Sequence, residues 1–259
     1  GARAKAWTRG GESVSGTGPL VDRAAGWDSE CRVRVRDGGI GGGVVGGAAG
    51  RPGDAAIVGG QGGMLCPGLI DMRVAIGEPG FEYRETIASC ARAAAAGGVT
   101  TIAVLPNSKP AIDEPALVRL LRGRGEETGQ VSILPYGALT KGCNGEEMAE
   151  LGLLREAGAV AFTDGTQAIA DTKRMRLLLS YAHGIGAMVV QHPEDPSLAR
   201  GGCATGSALA TQMGLPQIPA AAEAILIARD IRLAEMTGAR LHFGHVSTAE
   251  GLALIRAAK

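Results

Sequence analysis

From Met64 onward, short apolar runs rich in β-branched residues alternate with amphipathic helical stretches, and few folds accommodate that alternation. The apolar run 64–70 precedes a helical stretch over 83–96 that stops at Gly97-Gly98. A strand is predicted over 99–105. A helix follows it, capped by Asp113, with Pro115 in its first turn. A strand over 131–136 leads into a helix capped by Asn144 and running through Glu156. Residues 159–162 and 172–182 form the fourth strand and helix. Residues 187–191 and 219–236 form the fifth pair, with Gly238 as the stop. The last strand, 240–246, runs into a capping box, Ser247-Thr248-Ala249-Glu250, that opens a final helix. Six strand-then-helix units imply a parallel sheet with helices outside it. Periodicity leaves two forms open: a doubly wound sheet, or most of an eight-stranded barrel.

The stretch before Met64 reads differently. Residues 1–18 carry Arg and Lys with no apolar run behind them, so they are expected to be a disordered leader rather than a signal peptide. Residues 19–63 are rich in Gly. Arg32-Val33-Arg34-Val35-Arg36 alternates with period two before Asp37-Gly38, a strand-and-turn pattern. This stretch is expected to belong to a small β-rich flanking domain, with 64–259 forming an incomplete (β/α) barrel domain. The chain lacks an initial Met and stops at Lys259 within a helical pattern, so a piece of a longer protein is expected.

Charge narrows the function classes. Lys plus Arg and Asp plus Glu balance at 26 each. No broad basic face is therefore expected to draw nucleic acid or anionic lipid. No apolar run reaches membrane-spanning length, and no phosphate-cradling Gly motif follows any strand. The five cysteines form no CxxC pair, which argues against a disulfide framework and a zinc knuckle. A cytoplasmic protein is expected.

In parallel α/β folds the chemistry gathers at the C-terminal ends of strands. Asp71, Asn107, Asp164, His192 and His245 all fall at or near such ends, and three of the four histidines in the chain lie there. Two imidazoles and a carboxylate suit zinc or another divalent ion. Each histidine alone would more often be a hydrogen-bonded core residue; their grouping at strand ends favours a site. His242 is out of phase with His245 and reads as structural.

Specific motifs carry a family resemblance. Pro67-Gly68-Leu69-Ile70-Asp71 with Glu78-Pro79-Gly80-Phe81-Glu82-Tyr83 resembles the opening motif of bacterial dihydroorotases. Later family motifs are matched by Leu105-Pro106-Asn107-Ser108-Lys109-Pro110, Ala161-Phe162-Thr163-Asp164-Gly165, Gln191-His192-Pro193-Glu194-Asp195 and His242-Phe243-Gly244-His245. The resemblance implies a metal-dependent-hydrolase-type (β/α)8 TIM barrel, here with about six units, and a small β-rich flanking element. It implies ring closure of carbamoyl aspartate to dihydroorotate. It makes Asp164, His192 and His245 metal ligands and Asn107 a substrate contact.

The opening motif is degenerate. Where the family has Asp-x-His-x-His-x-Arg, this chain has Arg73, Ala75 and Gly77 in place of both histidines and the arginine. Alanine offers no donor atom, and a guanidinium offers no lone pair to a metal. Arg73 is expected to take over the charge of the missing metal by pairing with Asp164, Asp71 or both. Two roles follow. The first is a catalytically impaired homologue acting as scaffold or regulatory subunit for aspartate carbamoyltransferase, in an oligomer. The second is an active enzyme using one zinc ion at most, held by Asp164, His192 and His245.

Overall fold

The computed structural model describes residues 68–259, together with the backbone of four strands in the preceding part of the chain. Those strands are β1 (Leu20–Ala25), β2 (Glu30–Arg36), β3 (Gly39–Gly41) and β4 (Ile57–Gly59). They form one sheet in the order β3-β2-β1-β4. β1 runs antiparallel to β2, with a register slip between Val21 and Ala24, and parallel to β4. The period-two stretch 32–36 lies in β2. The expected leader over 1–18 and the turn at Asp37-Gly38 lie outside the described residues.

The elements that follow alternate strictly at first: β5 (Leu69–Val74), α1 (Ile87–Ala96), β6 (Val99–Val104), α2 (Pro115–Thr128) and β7 (Ser132–Pro135). Then come α3 (Leu151–Glu156), α4 (Thr172–Gly184), β8 (Met188–Gln191), α5 (Pro196–Ala199), β9 (Ala204–Thr205), α6 (Ala208–Gln212) and β10 (Gln217–Ile218). The chain closes with α7 (Ala221–Thr237), β11 (Arg240–Phe243) and α8 (Ala249–Ala258). It divides into two compact units. One comprises Gly1–Met72, Ile87–Ile102 and Arg124–Ile133; the other comprises Arg73–Thr86, Ala103–Gly123 and Leu134–Lys259.

Within the second unit the strand ends form one parallel ladder in chain order. Leu105 donates its N–H to the Val74 carbonyl and Tyr136 to that of Val104. Gly137 donates to Ala161, Phe162 to Met188, and Gly244 to Gln191. The fourth expected strand is therefore present only as a bridge, with Phe162 pairing Gly137 on one side and Val189 on the other. The Phe162 ring is packed closely at this bridge. A Cβ on Gly137 would lie 2.9 Å from the Phe162 ring, so glycine there admits the fully buried Phe162 between its neighbours. The inward faces of these strands supply a core cluster of Ala103, Leu105, Tyr136, Ala161 and Val190. The helices cover the outside with Leu121, Leu154, Met175, Leu178, Leu179 and Leu226, each buried. Burying one such side chain contributes about 2 kcal/mol.

Three local expectations change. The helix expected from Asn144 through Glu156 is a 3-10 turn at Lys141–Cys143, an irregular stretch, and then the short α3. Gly145, the first residue after the expected cap, holds a positive φ of 75°, which takes the chain out of a helix there. Asp113 does not cap α2; its carboxylate accepts the Gly142 N–H at 2.7 Å, so it ties down that same turn. At α8 the cap is Thr248, whose hydroxyl accepts from the Gly251 N–H. The carboxylate completing this cap comes from Glu223 on α7, not from Glu250.

Candidate functional site

The site lies within the second unit, where β5, β6, the 161–165 segment, β8 and β11 end. His192 follows β8 directly and His245 stands two residues beyond β11. Gln191 pairs with Phe243 across these parallel strands, and that register brings the two imidazoles together. His245 Nε2 lies 2.6 Å from His192 Nδ1, with ring centroids 4.7 Å apart and planes tilted by 60°. At that distance one nitrogen donates and the other accepts, so at least the accepting ring is neutral. Burial, then the neighbouring His245 and Arg73, pushes the His192 imidazole down to about 4. Burial and Arg73 lower His245 as well, against the opposing pull of Glu223 and Glu194.

Arg73 is half-buried and turns towards the other strand ends. Its Nη1 donates to the Gly165 carbonyl at 3.4 Å. A Cβ on Gly244 would come within 2.8 Å of the same nitrogen, so glycine at 244 makes room for the guanidinium. Burial lowers its pKa from the usual arginine value, yet the group stays cationic at any working pH. The inward direction read from strand phase is the one observed.

Asp164 is 1% exposed. Its Oδ1 accepts from the N–H groups of Leu139 and Thr140 at 2.9 Å each, and its Oδ2 from the Thr140 hydroxyl. The carboxylate thus fastens the loop after β7, and Arg73 meets the carbonyl of the next residue instead. Burial raises the Asp164 carboxyl, and these hydrogen bonds pull it back. Asn107 is similarly engaged: its amide donates to the Asp164 carbonyl at 3.0 Å and accepts the Thr166 N–H at 3.2 Å. Gly165, at φ 65°, is the residue this clasp requires, because a Cβ there would lie 1.5 Å from the Asn107 oxygen.

Gly77 shows why no arginine stands at its position. A Cβ on it would lie 2.3 Å from the Phe81 carbonyl oxygen and 2.8 Å from that of Glu85. Phe81 donates its N–H back to the Gly77 carbonyl at 2.6 Å, closing the turn. Ala75 is exposed and brings no donor atom.

The donor set can be weighed against zinc. Tetrahedral zinc with Zn–N bonds of about 2.0–2.1 Å needs its ligand nitrogens roughly 3.3 Å apart. His192 and His245 turn the right atoms to each other but stand closer than that. The Asp164 carboxylate is committed to the Leu139–Thr140 backbone. Among the described residues no group of three or more His, Cys, Asp or Glu is arranged to hold a metal ion. In this arrangement only the two facing imidazoles remain available as donors, beside a cation.

The residues that sequence reasoning passed over lie one layer out. Gln191, Glu223, Arg229, Asp230 and Thr140 hold the strand-end loops. Glu223 and Asp230 are buried acids, seven residues apart, on a helix whose other buried positions include Ala222, Leu226, Ile227 and Leu233. Acids interrupting an apolar face were the available signal.

Parallel strands, helices outside and polar residues gathered at strand ends are the arrangement of (β/α) barrels. The L-hydantoinase of Arthrobacter aurescens superposes with a TM-score of 0.75 at 21% identity, covering 94% of this chain and 56% of that one. The dihydroorotase of Saccharomyces cerevisiae with 5-fluoroorotic acid gives 0.53 at 15% identity, covering 73% of this chain and 51% of its own. Residues 62–251 match the family model described as Dihydro-orotase-like. The chain belongs to that family. It is 44% identical over 242 residues to the dihydroorotase of Pelotomaculum thermopropionicum and 43% identical to that of Pelobacter propionicus. It is covered to 93% in both alignments and spans 56% and 57% of those proteins, a little over half their length.

Proposed function

We propose that this chain is part of a dihydroorotase-like protein of pyrimidine biosynthesis whose ring-closing chemistry is impaired, and which serves as a scaffold or regulatory subunit for aspartate carbamoyltransferase. One observation carries the reading: the Arg73 guanidinium sits beside the facing imidazoles and reaches the Gly165 carbonyl. A fixed cation there opposes a second one, and the first-strand imidazoles that would hold it are replaced. The family relationship supports the pathway, and the retained fold supports a scaffold that outlives its chemistry. A cytoplasmic setting follows from that role. Among the described residues no helix is long and apolar enough to cross a membrane.

The test uses purified full-length protein, with carbamoyl aspartate and dihydroorotate as substrates and metal content measured in parallel. The expected turnover lies at least ~10³-fold below that of an active relative, equivalent to about 4 kcal/mol of lost transition-state stabilisation. Co-purification with a carbamoyltransferase is expected without turnover. Two zinc ions per chain with efficient cyclisation would overturn the reading.

A second reading is favoured by the imidazole pair itself. His192 Nδ1 and His245 Nε2 face each other, as two ligands of one ion would. An active enzyme with a single zinc at Asp164, His192 and His245 requires the Asp164 carboxylate to leave Leu139 and Thr140. Turnover that a chelator abolishes and one equivalent of zinc restores would select it.

A further inference from the structure

Two buried acids of α7 belong to neither the imidazole pair nor the first strand. Glu223 is 7% exposed and Asp230 is fully buried. Seven residues apart, they lie two turns along one helix face. Each engages a loop that carries one imidazole.

Glu223 Oε1 accepts the Ser247 N–H at 2.7 Å; Oε2 accepts the Thr248 N–H at 2.8 Å and also the Thr248 hydroxyl. Ser247 is two residues beyond His245. Gly251 lets α8 close on this carboxylate, since a Cβ there would lie 2.8 Å from Oε2. Asp230 Oδ2 accepts from Gln191 Nε2 at 3.0 Å, immediately before His192. Its Oδ1 accepts from Arg229 Nε at 2.7 Å, and the Arg229 Nη atoms donate to the carbonyls of Ile169 and Ala170 at 2.8 and 2.6 Å. Gln191 Oε1 takes the Ile169 N–H at 3.4 Å. One helix therefore grips the loop of each imidazole and the 169–170 segment.

Buried, fully bonded carboxylates contribute little stability over apolar residues of like size. What they supply is direction: fixed acceptors that admit one arrangement of the N–H groups they hold. We propose that Glu223 and Asp230 are positioning residues that set the spacing and relative tilt of His192 and His245. The inference rests on reading that pair as the surviving half of the site, and it holds whether or not the chain turns over substrate.

The test is imidazole ¹H/¹⁵N NMR of the full-length protein labelled at histidine. The proton shared between His192 and His245 gives a strongly downfield N–H signal correlated to both rings. Glu223→Gln and Asp230→Asn are expected to abolish it, while both variants melt cooperatively and the His183 and His242 signals stay in place. Persistence of the shared-proton signal in both folded variants would overturn the proposal. Should either variant fail to fold, Thr248→Val and Gln191→Met loosen the same contacts more gently and are expected to lose the same signal; its persistence there counts equally against positioning. No shared proton in the parent protein sinks the reading of the pair, and the proposal with it. Its presence there and in the variants sinks the proposal alone.

Discussion

The two halves of the strand-end region are built in opposite ways. At β8 and β11, both imidazoles remain and a layer of buried groups behind them is fully hydrogen-bonded: Gln191, Asp230 and Arg229 on one side, Glu223 and Thr248 on the other. At the end of β5, Arg73 sets a guanidinium against Gly165 and Gly244, Ala75 offers no donor, and the Gly77 turn is packed tight against Phe81. The contrast teaches that a pair of facing imidazoles can be held as a hydrogen-bonded unit by groups on one helix, without help from the β5 end. The pair's supporting groups are satisfied by protein, so they do not depend on an ion.

The strongest test of that contrast removes the support. Asp230→Ala leaves the Arg229 guanidinium, whose side chain is 14% exposed, without its carboxylate. The loss is expected to reach about 3–5 kcal/mol, read as a fall in the urea midpoint. A smaller loss would mean the β8 half is held by packing instead.

Acid gives the next largest effect. The His192 pKa falls from 6.5 unfolded to about 4 folded. Between those values the unfolded chain binds more protons, so stability rises with pH. It is fully present above about 6.5 and is lost as pH falls towards 4. The loss from this group is at most about 3 kcal/mol. Thermal melts from pH 7 to pH 4 measure it, and a flat profile would show that the pair is not held neutral by burial.

Glu223→Gln should cost about 1–2 kcal/mol, because one carbonyl oxygen replaces two acceptors at the start of α8. The smallest stability effect is expected on the degenerate side. Arg73→Met should shift stability by less than ~1 kcal/mol while raising the pKa of both His192 and His245, since the cation lowers each. A large destabilisation there would erase the distinction between the halves.

The alternation of strands and helices, and the fall of Asp164, His192 and His245 just after short apolar runs, were readable from hydrophobic period and helix stops; the strand order was not. The inward turn of Arg73 was readable too, from alternation along β5. What sequence did not reveal depends on contacts distant along the chain. The Asp164 carboxylate reads as a ligand in its motif, yet it is taken by backbone N–H groups 24 and 25 residues away. Ser247 and Glu250 have capping-box spacing, but Glu223 supplies the carboxylate from another helix. Asn144 looked like a helix start because Asn caps well; Gly145 instead takes a positive φ, and regular helix begins only at Leu151. Phe162 reads as part of a strand, but its pairing is confined to single bridges with Gly137 and Val189, which no local pattern distinguishes from a full strand.

The turn at Gly77 limits what can replace its glycine. A codon change to arginine would put a β-carbon 2.3 Å from the Phe81 carbonyl oxygen, with the Glu85 carbonyl close behind. A single change to arginine is therefore not accommodated by this turn as built: it needs the 77–85 backbone to be rebuilt around it.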